Sequence, residues 1–193
     1  SRFSLGMEGN LTEDWSYDAY VQKGHVQADT TWYGELLRDN LTAALQATTD
    51  AKGKLICVDK TANSRGCVPL NIYGVGKLDP AAIAYVTTDA MRKASLDQDV
   101  AGMSVSGDLF ELPAGFISSA FSAEYRKEAS ETMPDPAMRS GAIFNNKSQP
   151  LKGEYSVREV SAEFSVPLIN DLPFIQDLTA ESAIRYMDYS STG

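Results

Sequence analysis

From Glu159 to Val166 the chain alternates polar and apolar residues without a break, and Pro167 ends the run. Successive side chains of an extended strand point to opposite faces, so this stretch predicts a strand with one apolar and one charged side. The same period recurs along most of the chain. Phe3, Leu5, Met7, Gly9 and Leu11 fall on one face, with Arg2, Ser4, Gly6, Glu8 and Asn10 on the other. After the polar turn Thr12, Glu13, Asp14, a second strand sets Trp15, Tyr17, Ala19 and Val21 against Ser16, Asp18, Tyr20 and Gln22, which predicts a hairpin.

The pattern resumes at Val100. Ala101, Met103, Val105, Gly107 and Leu109 oppose Ser104, Ser106 and Asp108; after the turn 111–115, Ile117, Ser119, Phe121, Ala123 and Tyr125 oppose Ser118, Ala120, Ser122, Glu124, Arg126 and Glu128. A final strand sets Leu178, Ala180, Ser182, Ile184 and Tyr186 against Thr179, Glu181, Ala183, Arg185 and Met187. The result is an antiparallel up-and-down meander of about six strands, mainly β.

Between about residues 29 and 97 the period changes to a helical one. Leu36, Leu37, Leu41, Ala44 and Leu45 predict a short amphipathic helix over Tyr33 to Ala47, and Asp79 followed by Pro80 supplies an N-cap and a first-turn proline for another. This partly helical insertion also holds Cys57 and Cys67. With one histidine, His25, far off in sequence, a metal site lacks ligands, and a local disulfide is the preferred reading. A second long polar link runs from Ser130 to about Lys152. The turns near 12–14, 111–115 and 167–177 are short, so short turns and long links alternate along the meander, which is the layout of an outer-membrane barrel.

Composition narrows the partners. The 193 residues are 43% hydrophobic and 22% charged, ordinary for an ordered chain, and the net charge of -9 argues against nucleic acid. No apolar run reaches the ~18–20 residues a spanning helix needs, a limit that spanning strands do not share. The chain shows neither a signal peptide nor an initiator Met, which predicts a mature protein or a piece of a longer one.

Specific stretches carry a family likeness. Gly66-Cys67-Val68-Pro69-Leu70-Asn71-Ile72-Tyr73-Gly74, followed by Leu78-Asp79-Pro80-Ala81-Ala82-Ile83-Ala84-Tyr85-Val86, resembles an extracellular loop of TonB-dependent outer-membrane receptors. Gly107 to Gly115 with Glu124-Tyr125-Arg126-Lys127-Glu128 resembles the next hairpin, and Glu159 to Leu168 with Ala183 to Ser190 the one after. The resemblance implies the middle portion of a barrel of about twenty-two strands, covering residues 1–193, without the plug domain or the motif that contacts the TonB energy-transducing complex. It implies uptake of a scarce nutrient such as siderophore-iron, cobalamin or an oligosaccharide, bound through the extracellular loops, in the bacterial outer membrane, with no catalytic residue, metal or cofactor.

On that reading Trp15, Tyr17, Ile117, Phe121, Val160, Phe164 and Ile184 face lipid, and Asp18, Glu124, Arg126, Glu128, Glu159, Glu163, Glu181 and Arg185 face the lumen. The lumen-side charges could guide a substrate or simply form a cross-strand ladder of ion pairs and hydrogen bonds. Tyr125, Tyr155, Tyr186 and Tyr189 fit an interfacial aromatic girdle, and Trp15 with Tyr17 the opposite one. Two other classes remain open: a secreted β-sandwich ligand-binding module, and an acidic hydrolase using Glu124 and Glu163. A six-stranded piece would leave two free edges and an apolar face that must self-associate or fold against the insertion.

Overall fold

The structure, a computed structural model, describes residues 1–74, 76 and 78–190. Along the chain run β1 (Arg2–Asn10), β2 (Trp15–Leu36), α1 (Arg38–Leu45), β3 (Ala47–Thr49), β4 (Leu55–Cys57), α2 (Lys60–Ser64), α3 (Pro80–Val86), β5 (Thr87–Leu112), β6 (Gly115–Pro134), α4 (Pro136–Ser140), β7 (Leu151–Leu172) and β8 (Ile175–Tyr189). The chain divides into two compact units. One comprises Ser1–Gln27, Ser95–Glu131 and Lys152–Gly193; the other comprises Ala28–Ala94 and Thr132–Leu151.

The first unit is built on a six-stranded sheet in the order β1-β2-β5-β6-β7-β8, mainly β and antiparallel, and it is not a closed barrel. In its outer pairings Leu5 opposes Val21 and Glu8 opposes Asp18, while Val160 opposes Tyr186 and Ser165 opposes Glu181. Polar residues therefore oppose mostly polar ones and apolar oppose apolar. The only break in the β7–β8 ladder lies between Pro167 and Ile169, where proline cannot donate to it. The β5–β6 turn is Pro113-Ala114, with Gly115 at φ 135°.

In the second unit one small hydrophobic cluster is formed by buried residues. Ala90, Met138 and Ile143 pack with Trp32, Leu37 and Ala137, and Leu37 bridges Ile143. Ala44, Cys57, Ala62, Ala82 and Val86 are also buried. Short helices start on side-chain caps: Asp59 accepts from Thr61 N, Asp79 from Ala81 N and Asp135 from Met138 N. Cys57 and Cys67 form a disulfide, Cα–Cα 6.3 Å.

Several boundaries differ from the sequence expectation. The helix expected over Tyr33 to Ala47 begins only at Arg38, because the β-branched and aromatic run Thr30-Thr31-Trp32-Tyr33 stays extended as the end of β2. The insertion expected at 29–97 shrinks to 37–86, since β5 starts at Thr87. The link expected at 130–152 shrinks to 135–150 and contains the missed helix α4. The turn expected over 167–177 is only Pro173-Phe174, with Asp171 and Phe174 at positive φ.

Candidate functional site

The alternation sorts the side chains of the first unit onto two faces. One face carries Phe3, Leu5 and Met7 of β1, Trp15, Tyr17, Ala19 and Val21 of β2, Ala101 to Leu109 of β5 in steps of two, Ile117 to Tyr125 of β6 and Val160 to Val166 of β7. Leu178 to Tyr186 of β8 completes it. This face is open. Phe3 is 64% exposed, Ile184 71% and Val160 52%. Ile117 is the exception among the expected lipid-facing residues: it shares the face but is buried. Phe121 and Phe164 meet edge to face, centroids 5.7 Å apart. The one buried hydroxyl here, Ser119, donates to the Gly107 carbonyl at 3.1 Å and so needs no water.

Glycines let aromatics lie flat on both faces. A Cβ at Gly107 would stand 2.5 Å from Trp15, one at Gly9 2.9 Å from Tyr17, and one at Gly102 2.6 Å from Tyr20. β2 thus spreads three rings over its neighbours wherever those neighbours lack a side chain.

The apolar face ends abruptly. On five strands the next residue of that face toward the long-link end is charged: Lys23, Asp99, Lys127, Arg158 and Asp188. Lys23 pairs with Asp99 at 3.4 Å, His25 with Asp97 at 2.7 Å, Lys127 with Glu154 at 3.2 Å, and Lys152 with Glu131 at 3.9 Å; Arg158 lies opposite Asp188 in register. His25 is therefore a member of this rim.

The other face is polar and bonds to itself. Arg2 donates to Gln22 Oε1, Gln22 Nε2 to Gln98 Oε1 (3.1 Å), Gln98 Nε2 to Glu128 Oε1 (2.9 Å), and the Tyr155 hydroxyl to Glu128 Oε2 (2.7 Å). One row of side chains joins five strands. Arg126 Nε lies 3.8 Å from Glu128 without a hydrogen bond. Tyr20 reaches across Gly102 to donate to Glu124 at 2.6 Å. Arg185 pairs with Glu159 at 3.3 Å, Ser118 donates to Asp108 at 2.8 Å, and Ser122 meets Ser161 at 2.7 Å.

All eight expected lumen-side residues lie on this face. Glu124, Glu128, Glu159 and Arg185 join its bonded rows and Arg126 lies beside Glu128; Asp18 lies opposite Glu8, Glu163 opposite Ala183 and Glu181 opposite Ser165. The bridging amides Gln22 and Gln98 and the hydroxyls of Tyr20 and Tyr155 went unread as site residues, since the pattern marks them only as polar positions. Two tyrosines assigned to the girdle belong here instead: Tyr155 bonds Glu128, and Tyr189 lies opposite Val157 of the polar face; Tyr125 and Tyr186 stay on the apolar face. Glu124 and Glu163 take different surroundings, Glu124 engaged by Tyr20 and Glu163 in a shallow depression with Ser106, Ser118 and Ser119.

In the second unit the insertion presents exposed apolar side chains on a pinned backbone. Asn63 Oδ1 accepts from Cys57 N at 3.1 Å while its amide donates to Cys57 O at 2.6 Å, and Cys67 N donates to Ala62 O. Leu70 N donates to Ala44 O, after which Ile72 and Tyr73 are exposed, Tyr73 at 83%. Arg38 stacks on Phe144 and Arg92 on Trp32, each 5.2 Å from the ring centre. Among the described residues no cluster of three or more His, Cys, Asp or Glu could hold a metal ion, and no helix is long and apolar enough to cross a membrane.

Comparison with protein families, curated proteins and solved structures finds no match to the chain.

Proposed function

We propose that the six strands are a sector of an outer-membrane β-barrel wall, and that the chain is part of a TonB-dependent receptor for energy-coupled uptake of a scarce nutrient. The observation that carries the membrane reading is the step from apolar to charged at Lys23, Asp99, Lys127, Arg158 and Asp188. The apolar stretches 101–109, 117–125 and 178–186 each extend about 26 Å at ~3.3 Å per residue. Tilted by 35–45°, they cover roughly 20 Å of an apolar band that is about 25 Å tall in such barrels. Trp15 and Tyr17 at one border, with Tyr125 and Tyr186 at the other, suit the interfacial belts where a ring can bury its body and keep its N–H or hydroxyl wet.

A water-soluble sheet hides its apolar side, and this one leaves that side open while its polar side is bonded strand to strand. A β-sandwich would need a second large sheet; besides the six strands, the described residues hold only the two-stranded β3-β4 sheet. The receptor assignment rests on the likeness of Gly66 to Val86 and the two following hairpins. The insertion around Cys57 to Val86 is the candidate ligand surface, because its exposed Ile72 and Tyr73 sit on a backbone held by a disulfide and by Asn63.

Fractionation of the gene product tests the reading. Recovery in the outer membrane, with loss of energy-dependent uptake of one nutrient in a deletion strain grown on single iron chelates, cobalamin or oligosaccharides, is expected. Recovery as a soluble periplasmic protein overturns it.

A further inference from the structure

The apolar face of the six strands is not level. A groove of about 560 Å³ crosses it from Met7 of β1 over β2, β5 and β6 to Arg158 of β7. Four strand spacings make it about 19 Å long at ~4.8 Å each. Its floor lies low because β2, β5 and β6 carry Ala19, Ala101 and Ala123 there, where only a methyl rises from the backbone, while Met103 and Tyr125 border it with longer side chains. The groove belongs to a face and not to an edge. Strands paired laterally bond in the plane of the sheet, so neighbours beside β1 or β8 leave it as it is.

The β7 end of the groove is charged. Arg158 lines it there, and among the described residues this side chain makes neither an ion pair nor a hydrogen bond, although Asp188 lies opposite in register. The neighbouring cations are engaged, Lys23 by Asp99 at 3.4 Å and Lys127 by Glu154 at 3.2 Å. On the membrane reading, on which this inference rests, Arg158 stands where the apolar band ends and lipid phosphates begin. A guanidinium there presents a planar fork that takes two oxygens of one phosphate, and such charge-assisted bonds are the strong ones. An empty groove in hydrocarbon forfeits dispersion contacts along its floor. One flexible acyl chain laid in it restores them.

We propose that the groove holds an acyl chain of a phospholipid whose phosphodiester is bound by Arg158. The two parts of the site sort the ligand between them. The charge selects against a neutral lipid such as diacylglycerol, and the groove selects against a phosphate without a chain. Asp188, opposite Arg158, repels a second negative charge, so a singly charged phosphodiester fits better than a phosphomonoester.

The test uses the 193-residue chain, with its disulfide intact, in maltoside micelles doped equally with phosphatidylglycerol and the diacylglycerol of the same chains. Native mass spectrometry is expected to show bound phosphatidylglycerol about tenfold over diacylglycerol. Arg158→Gln is expected to lose that preference and Arg158→Lys to keep part of it. Ala123→Leu, or Ala101→Leu if the first does not fold, fills the groove and is expected to release the lipid although Arg158 remains. Excess inorganic phosphate is expected to leave the lipid in place. Equal retention by Arg158→Gln, full retention by the folded leucine variant, or displacement by phosphate overturns the proposal. Flotation with phosphatidylglycerol vesicles separates the two readings: chain that floats yet holds no lipid in micelles sinks the lipid site alone, and chain that does not float sinks the membrane reading and the site with it.

Discussion

The two units dispose of their apolar residues in opposite ways. In the second, Ile143 and Val86 are fully buried among other side chains, helices begin on aspartate caps, and a disulfide holds the irregular stretch. In the first, Phe3, Leu5, Val160 and Ile184 stand in the open, while its polar side is bonded strand to strand. A protein core stabilises the one; on the membrane reading proposed above, an apolar surrounding stabilises the other. The lesson is that alternation alone does not say which side of a sheet is inside.

This contrast can be broken by substitution, and the largest effects should fall where the two units depend on opposite surroundings. Phe121→Arg places a charge in the middle of the apolar face and is expected to weaken vesicle partition by about 2–4 kcal/mol. The same change should leave the solubility of the chain in water undiminished, a split that flotation and ultracentrifugation would read. Val86→Ala, at a fully buried position of the other unit, is expected to lower stability by about 1–3 kcal/mol in water and lipid alike, measured by denaturant titration. Equal sensitivity of both substitutions to lipid would erase the distinction drawn between the units.

Smaller effects sharpen each side. Cys67→Ser opens a ten-residue separation and should destabilise the insertion by about 2–3 kcal/mol, seen as faster amide exchange around Ala62 and Leu70 with the β7–β8 ladder unchanged. Gly102→Val drives its Cβ into the Tyr20 ring, costs about 1–3 kcal/mol and frees Tyr20 from Glu124, which tyrosine fluorescence or side-chain NMR would report. Smallest of all, Lys23→Ala should cost under about 1 kcal/mol, because its ion pair with Asp99 is largely exposed. A larger loss on vesicles than in water would mark the rim as a membrane border.

Much of the sheet was legible in local order. The facing of Phe121, Phe164 and Ile184, and of Glu124, Glu159 and Arg185, follows from a period of two, and the pairings preserve it. The ends of elements were less legible. Thr30 to Tyr33 stays extended although the leucines beyond it are spaced helically, and Pro167 bends a strand that continues to Leu172 instead of ending it. Tyr155 was misplaced because a tyrosine near a strand end suits either side, and only its phase relative to Glu128 settles which.

What the amino-acid sequence determined by itself is the two-sidedness of each strand, the presence of short turns between paired strands, and the cap at Asp79. These are properties of neighbours a few residues apart. What only the tertiary structure decided is which strands lie side by side and at what height. The row from Arg2 through Gln22, Gln98 and Glu128 to Tyr155 joins residues 20 to 76 positions apart, and the reach of Tyr20 to Glu124 spans 104. Register between distant strands is a sum over the whole sheet, and the polar side acquires its bonding from that sum.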